Sequence, residues 1–193
     1  MEQSYSPKNK NKDVKELLPD RDSWFDLYAS KVYGLALKLG FSARDAEDGV
    51  QEVFLKLQRK SKSFRGESSF STWLYRVALN TLRDHRRKVV RFSREAAASG
   101  YESKDWAEIT SERALSPIDL AIKEERRQLI RKALNQLPSN FREVLVLREL
   151  EGLSYRDIAN VTGVKQGTIE SRIFRARQRL ASEISNLRGD ICE

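Results

Sequence analysis

The sequence predicts an all-α fold of two small helical domains joined by a flexible acidic linker. Apolar residues recur at the three- and four-residue spacing of amphipathic helices through most of the chain, and no segment alternates as a half-buried strand does. The helical pattern fails between Arg91 and Leu115, where small, polar and acidic residues have no sustained apolar face. Such a composition is typical of an interdomain linker.

These patterns divide the chain into five expected segments. We expect a disordered polar tail over residues 1–19, helical domains over 20–90 and 116–186, the linker over 91–115, and a C-terminal tail over 187–193. The start of the chain lacks the apolar core of a secretory signal, and no apolar run is long enough to span a bilayer. The single cysteine, Cys192, fits a reducing compartment. We therefore expect a cytoplasmic protein without membrane insertion.

The charge balance favours a polyanionic partner. The 193 residues carry a formal net charge of +8, which attracts polyanions such as nucleic acid. The one histidine, His85, lies in a basic segment and is expected at the surface of a DNA-facing helix. The sequence has no paired cysteines, phosphate-binding glycine loop or zinc-protease motif. We therefore expect a binding protein rather than an enzyme, with no metal and no cofactor.

The first predicted helix runs from Ser23 to Leu39 and stops at Gly40. Its spacing directs one face into the core, with Trp24, Leu27, Tyr28, Val32, Leu35 and Leu39 pointing inward.

The second predicted helix, from Ser42 to about Lys60, has a sharply divided surface. Its apolar side comprises Ala46, Val50, Val53, Phe54 and Leu57. Its outer side, here called the acidic face, comprises Asp45, Asp48, Gln51 and Glu52. Because phosphate repels carboxylate, this face does not suit DNA. It suits a basic protein surface, and spacing alone is equally compatible with a solvated face.

The third predicted helix, Ser71 to Lys88, has Leu74, Val77, Ala78 and Thr81 towards the core. On its other side lies a basic stripe of Arg76, Asn80, Arg83 and Arg87. The arginines offer phosphate contacts, and the asparagine offers a side chain able to read a base edge.

An aromatic-flanked loop precedes this helix. Its small residues, Gly66, Ser68 and Ser69, are surrounded by Phe64, Phe70 and Trp73. Aromatic rings beside such a loop are able to hold an unstacked base. The same rings also suit core anchors, which is the interpretation we favour for Phe70 and Trp73, with function assigned to the loop.

Three helices are predicted in the C-terminal domain before the last one. The first starts at Ser116-Pro117, with Asp119 completing a capping box, and runs to about Leu137. The second runs from Asn140 to Leu150 and closes at Gly152. The third is capped by Ser154 and Asp157 and ends at a turn, Thr162-Gly163-Val164.

The last predicted helix begins at about Lys165 and has an apolar stripe of Ile169, Ile173, Ala176 and Leu180. Its outer surface comprises Gly167, Glu170, Ser171, Phe174 and Gln178, flanked by Arg172, Arg175, Arg177 and Arg179. With the preceding helix and glycine turn, this is the pattern of a helix-turn-helix that enters the DNA major groove. An ordinary amphipathic hairpin with a solvated basic face is the alternative.

The motifs in this order resemble those of the extracytoplasmic-function sigma factors of bacterial RNA polymerase. The resemblance runs from about Trp24 to Leu180 and is carried by DAEDGVQEVFLKL, then FRGESSFSTWLYRVALNTLRDHRRK, then the acidic linker, and then LPSNFREVLVLRELEGLSYRDIANVTGVKQGTIESRIFRARQRL. It implies a sigma region 2 bundle over 20–90 and a region 4 helix-turn-helix over 116–186.

The resemblance also implies roles for particular residues. The acidic face would bind the clamp helices of the polymerase's largest subunit. The minus-ten promoter element would be bound by Phe64, Arg65, Gly66, Ser68, Ser69, Arg76, Asn80, Arg83 and Arg87. The minus-thirty-five element would be bound by Arg148, Gln166, Gly167, Thr168, Glu170, Ser171, Arg172, Phe174 and Arg175.

The implied partners are core RNA polymerase, including its flap region, promoter DNA, and an anti-sigma factor able to hold the protein at the inner membrane face. The linker would mimic a polyanion in a basic polymerase channel. Many relatives have Lys or Arg where this chain has Glu170. We hypothesise that Glu170 reads a cytosine, or turns away from DNA and pairs with Arg177. A free-standing DNA-binding regulator without polymerase is the rival function.

Overall fold

A computed structural model of the chain describes residues 23–61, 64, 66, 68–97 and 117–189. Within these residues there is no strand, and the predicted all-α class is confirmed. The helices, in chain order, are α1 (Trp24–Lys38), α2 (Ala43–Lys60), α3 (Phe70–Ala97), α4 (Pro117–Gln136), α5 (Ser139–Leu145), a π-helical turn (Val146–Leu150), α6 (Tyr155–Thr162) and α7 (Gln166–Gly189).

Helices α1 to α3 pack together as the N-terminal half. Ser42 caps α2 by accepting a 3.1 Å hydrogen bond from the backbone N–H of Asp45. The predicted apolar side of α2 is buried. The predicted inward set of α1 is wrong at one position, since Leu27 is 59% exposed. Its place in the three- and four-residue pattern puts it at the margin of the stripe, which α2 and α3 do not cover.

Helix α3 is longer than the sequence predicted. It continues past Lys88 to Ala97 and so takes up the first residues of the predicted linker. The reason is local: no glycine or proline interrupts the chain between Lys88 and Ala97, and a helix that is already nucleated extends at low cost. The rest of the predicted linker, residues 98–115, and the predicted tail over residues 1–19 lie outside the described residues.

Helices α4 to α7 form the C-terminal half, in which α7 packs against α4, α5 and α6. The predicted cap at Ser116 lies outside the described residues. The single helix predicted from Asn140 to Leu150 is instead α5 followed by the π-helical turn. The backbone N–H of Glu151 donates to the carbonyl of Val146 at 3.0 Å, which is the wide spacing that defines a π turn.

The two halves pack on each other through one continuous buried core, with α3 lying against α6. The guanidinium of Arg142 in α5 is buried and donates to the carbonyl of Leu39, at the end of α1, at 2.8 Å. The same guanidinium donates to the carbonyls of Leu134, Asn135 and Leu137. Burial, with the nearby Arg86 charge, lowers the pKa of Arg142 to about 10.

Candidate nucleic-acid interface

The α6–α7 unit has the geometry of a helix-turn-helix. Ser154 caps α6 by accepting from the backbone N–H of Asp157 at 3.1 Å, and its hydroxyl donates to the Asp157 carboxylate. Gly163 ends α6 with a φ of 72°, a left-handed conformation that favours glycine. The cap at Ser154 and the turn at Gly163 therefore fix where α6 begins and ends, and so where α7 starts.

Helix α7 has a buried side and an exposed side, as its spacing predicts. Ile169, Ile173 and Ala176 are buried, while the aromatic ring of Phe174 is 62% exposed. The exposed side carries most of the predicted minus-thirty-five residues: Gln166, Gly167, Thr168, Glu170, Ser171 and Arg175, with Arg172 half-buried beside them. An exposed aromatic ring among hydrogen-bonding and cationic side chains gives this surface both apolar and polar contact groups.

Within this surface the side chains make only weak or local contacts. Arg175 Nε donates to the backbone carbonyl of Ser171 at 3.3 Å. The carboxylate of Glu170 accepts from Gln166 Nε2 at 3.0 Å. The alternative in which Glu170 pairs with Arg177 is wrong, because Arg177 forms an ion pair with Glu149 that raises its pKa. Glu170 therefore stays on the outward side of α7.

Arg148, the predicted phosphate contact, lies in the π-helical turn. Its Nη1 donates to the carbonyl of Leu153 at 2.9 Å, and its guanidinium stacks over the ring of Tyr155 at 4.8 Å. Both contacts fix the orientation of the side chain beside the start of α6. The wide turn and the aromatic stack thus hold this cation next to the helix-turn-helix.

The basic stripe lies along α3. Arg76, Asn80 and Arg87 are exposed, and Arg83 is partly buried. Arg87 pairs with Asp84, and that hydrogen bond, together with Lys56, lowers the pKa of Asp84. Arg83 instead makes a two-pronged ion pair with Glu143 of α5, with Nε to Oε1 at 3.0 Å.

The rings around the 64–69 loop form an aromatic cluster. Phe64 and Phe70 are buried, and the ring centroids of Phe64 and Trp73 are 5.3 Å apart. The interpretation of Phe70 as a core anchor fits this packing, and Phe64 shares it. Gly66 and Ser69 are exposed and Ser68 is partly exposed, while Arg65 lies outside the described residues.

A cavity of about 840 Å³ opens beside this loop. Ser68, Trp73, Arg76 and Asn80 line it, so it joins the loop to the basic stripe. Its volume lies within the range of pockets that hold small organic groups such as a nucleotide.

The members of the acidic face differ in their surroundings. Asp48 and Gln51 are exposed. Asp45 is held by the cap at Ser42. Glu52 accepts from Lys88 Nζ at 3.0 Å and faces His85 Nδ1 at 3.4 Å. Burial opposes ionisation of Glu52, yet the Lys88 and His85 contacts outweigh it and lower the pKa of Glu52.

One apolar residue adds to the acidic face. Leu55, one helical turn beyond Gln51 and Glu52, is 53% exposed and adds an apolar group to the same side of α2.

The prediction that His85 is a surface residue is wrong, because its ring is buried between α2 and α3 near Phe41. Leu82, three residues earlier, is buried on the same side of α3. Helical spacing was therefore sufficient to predict that His85 is buried as well.

Sequence reasoning missed the polar residues that join the two halves: Thr72, Tyr75, Arg142, Glu143 and Glu151. Tyr75, Arg142 and Glu143 each lie three residues before a buried apolar residue, so helical spacing indicated the side on which they lie. Their partners were not indicated, because those contacts join residues far apart in the chain.

Two kinds of feature are absent from the described residues. No cluster of histidine, cysteine or carboxylate side chains there has the arrangement of a metal site. None of the helices there has an apolar stretch of the length that a bilayer crossing requires.

Comparison with known proteins places both halves in one family. The family model of sigma-70 region 2 matches residues 24–92, and that of sigma-70 region 4 matches residues 127–180. The RNA polymerase sigma-H factor of Pseudomonas aeruginosa is 38% identical over 171 residues, covering 84% of this chain and 87% of the relative. The ECF RNA polymerase sigma-E factor of Escherichia coli is 39% identical over 147 residues, covering 74% and 75%.

Solved structures agree with these relatives. The sigma factor RpoE of Bartonella quintana, in complex with the anti-sigma factor NepR, matches with a TM-score of 0.68 and 28% identity over 87% of this chain and 98% of that one. CnrH, in complex with the cytosolic domain of CnrY, matches with a TM-score of 0.60 over 86% and 88%. At 24% identity, CnrH supports the fold alone.

The helical fold, the helix-turn-helix and the two matched segments define a sigma subunit of the sigma-70 class, which acts in transcription initiation with core RNA polymerase and promoter DNA. Its relatives narrow the class further. The chain belongs to the extracytoplasmic-function sigma factors.

Proposed function

We propose that this sigma factor reads a two-part promoter with the two surfaces described above, and that α7 reads the minus-thirty-five element. The observation that carries this proposal is the exposed side of α7, where Ser171, Phe174 and Arg175 face away from the core beside a cationic flank. A helix of this shape fits the major groove, where arginine binds guanine and an aromatic ring contacts a thymine methyl group. Arg148 adds a contact to backbone phosphate.

The minus-ten element is bound by the basic stripe and the 64–69 loop. The cavity between them supports this role, because it combines ring surfaces with Arg76 and Asn80. Extruding a base costs a few kcal/mol, and stacking it returns about 1–3 kcal/mol. Since these two quantities nearly balance, melting depends on a promoter close to the preferred sequence.

Core polymerase is bound by the acidic face, with Asp48 and Gln51 as its most accessible members. Leu55 supplies an apolar contact on the same side, which suits a protein partner better than DNA. We place Asp45 and Glu52 at this interface as well, with Glu52 kept ionised by Lys88.

The protein works by binding rather than by catalysis, in the cytoplasm. We also propose an anti-sigma factor as a regulator, because the structural relative RpoE was solved with one. Helix α7 continues to Gly189, three residues into the predicted tail over 187–193. The acidic segment before α4 keeps the role expected from the sequence, as a connector.

An electrophoretic shift assay tests the proposal against its rival, a free-standing regulator. The sigma assignment predicts a promoter complex only when core polymerase is present with the protein. An equally tight and specific complex with duplex DNA in the absence of polymerase would favour the regulator.

A further inference from the structure

One hydrogen bond on the exposed side of α7 sets the direction of a side chain on the proposed promoter surface. Gln166 Nε2 donates to Glu170 Oε1 at 3.0 Å. We propose that Glu170 orients the amide of Gln166 so that Gln166 reads an adenine of the minus-thirty-five element. This inference rests on the proposed role of α7, and it adds which base is read and which residue positions the reading group.

The chemistry of the two groups fixes which end of the amide faces Glu170. A glutamine amide has an oxygen that accepts and a nitrogen with two N–H donors, whereas a carboxylate only accepts. The nitrogen of Gln166 therefore has to face the carboxylate, and it uses one of its two N–H groups there. The amide oxygen and the second N–H remain available, side by side, for a contact outside the chain.

These two remaining groups are complementary to adenine. In the major groove adenine presents an amino donor, N6, beside an acceptor, N7, and glutamine binds both at once. Guanine offers two acceptors there, cytosine offers the donor alone, and thymine offers one acceptor and a methyl group. An amide held with its oxygen outward therefore favours adenine, because it accepts from N6 and donates to N7.

The place of the pair in the helix-turn-helix suits base reading. Gln166 is the first residue of α7, and the first residues of a recognition helix are those that reach base edges. The side chains of Gln166 and Glu170 are both exposed. Beside them, a methyl group added to Gly167 would meet nothing within 4 Å, so the surface next to the amide is open.

Glu170 keeps the amide as its partner although arginines lie on the same helix. Arg177 pairs with Glu149. Arg175 Nε donates to the backbone carbonyl of Ser171. In the part of the chain that the structure describes, the amide is thus ordered without competition from these cations. A side chain that is ordered before DNA arrives loses less rotational freedom on binding, which strengthens its contact.

The base preference of the holoenzyme tests this arrangement. Holoenzyme made with each variant selects promoters from a library randomised in the minus-thirty-five element, and sequencing gives the preference at each position. Gln166→Ala identifies the position that Gln166 reads, where we expect the preference for adenine to fall by about tenfold. We expect Glu170→Ala to lower the preference at that same position by about two- to tenfold, because the amide is no longer oriented.

Two other substitutions of Glu170 separate orientation from charge. Glu170→Gln removes the charge but keeps an oxygen that accepts from Gln166, so we expect adenine to remain preferred. Glu170→Lys places donors beside the amide, which turns the amide oxygen inward and its N–H groups towards DNA. We expect the preferred base at the position of Gln166 to change to guanine or thymine, whose exposed groups accept. Adding Gln166→Ala is expected to abolish that change.

A second glutamate–glutamine pair supplies the matched control. In α4, Gln128 Nε2 donates to Glu124 Oε1 at 3.4 Å across the same four-residue spacing. Glu124→Ala removes the same charge and the same kind of contact from a helix with no proposed role in base reading. We expect it to leave every base preference unchanged. Equal changes in Glu124→Ala and Glu170→Ala would mean that charge alone acts, and would overturn the proposal.

The outcomes separate this inference from the proposed function. If Gln166→Ala leaves all preferences unchanged while Arg175→Ala relaxes one position, α7 reads the element without Gln166, and this inference fails alone. If neither variant changes any preference, the assignment of α7 fails as well. If Glu170→Ala acts at a position other than that of Gln166, Glu170 contacts its own base and does not orient the amide.

Nuclear magnetic resonance reports the orientation without DNA. The two Nε2 protons of Gln166 differ in their surroundings, because only one of them is bonded to Glu170. We expect the resonance of the bonded proton to shift in Glu170→Ala and to stay unchanged in Glu124→Ala. An unchanged resonance in Glu170→Ala would show that the carboxylate does not hold the amide in solution, and would overturn the proposal.

Discussion

At the scale of single residues, the arginines of this protein divide by what they contact. Arg83, Arg142 and Arg177 are held by carboxylates or backbone carbonyls, whereas Arg175 makes one long backbone contact and remains exposed. A long and exposed contact costs little to exchange for a base or phosphate. Contacts within the chain therefore separate Arg175, which has only a weak contact to exchange, from arginines such as Arg83 that must first give up an intramolecular partner.

Replacing Arg175 by alanine tests this division. We expect Arg175→Ala to weaken minus-thirty-five binding by holoenzyme by about 1–3 kcal/mol, because a bidentate base contact is worth that much. The measurement is promoter affinity by fluorescence anisotropy. Arg188→Ala is the control, being exposed on the same helix about 20 Å further along. Equal effects of the two would reject the base-contact role.

The role of Glu170 is tested by the base preference of the protein rather than by its affinity for DNA. Its carboxylate lies on the outward side of α7, bonded only to Gln166 among the contacts described for it. If it accepts from a cytosine amino group, Glu170→Lys changes the preferred base at one minus-thirty-five position. Sequencing of promoters selected from a randomised library measures this. An unchanged preference rules out the reading role.

At the scale of helices, the spacing of apolar residues predicted most of what is found. The buried side of α2, the faces of α7 and the turn at Gly163 follow from local periodicity and backbone chemistry. The end of α3 was mispredicted because loss of the apolar pattern was taken as its end, although nothing in the local sequence stops the helix before Ala97. The π-helical turn was mispredicted because periodicity does not show where a helix widens. Leu27 and His85 were mispredicted for a related reason, since burial depends on which neighbour covers a face.

Two left-handed glycines allow the packing of helix ends to be measured. Gly40 and Gly163 have φ values of 89° and 72°, and alanine in that conformation costs about 1–2 kcal/mol. At Gly40 an added methyl would also lie 2.5 Å from Arg142 Nη1, whereas at Gly163 it would meet nothing within 4 Å. Arg142 is fixed by its carbonyl contacts and has little freedom to move away.

We therefore expect Gly40→Ala to lower the free energy of unfolding by at least about 1 kcal/mol more than Gly163→Ala, as overpacking does elsewhere. Urea denaturation followed by circular dichroism measures the difference. Equal losses would mean that Arg142 does not lie against Gly40 in solution.

At the scale of the whole molecule, the two halves have separate promoter surfaces but share a core. The sequence predicted the halves and their family, because those follow from local motifs. Their packing was not predicted, because Arg83 and Glu143 or Lys38 and Glu151 are distant in sequence and neither pair forms a motif. The residues of the candidate surfaces were predicted, while their intramolecular partners required the structure.

Asn80→Ala tests whether the basic stripe and the acidic face have separate functions. Asn80 lies on α3, away from the acidic face of α2, so we expect the variant to bind core polymerase normally and to form open complexes several-fold more slowly. Stopped-flow fluorescence of a labelled promoter measures the rate, and co-elution measures core binding. Parallel losses of both would indicate a folding defect instead of a role in melting.

The central claim is that this chain directs core polymerase to promoters by reading two elements at once. In vitro transcription with purified core polymerase on a randomised promoter library tests it most directly. We predict that transcripts depend on the added protein and come from templates enriched in two short elements at a fixed spacing, and that Arg175→Ala relaxes the upstream element only. Transcripts independent of the protein, or enrichment of no sequence, would contradict the account.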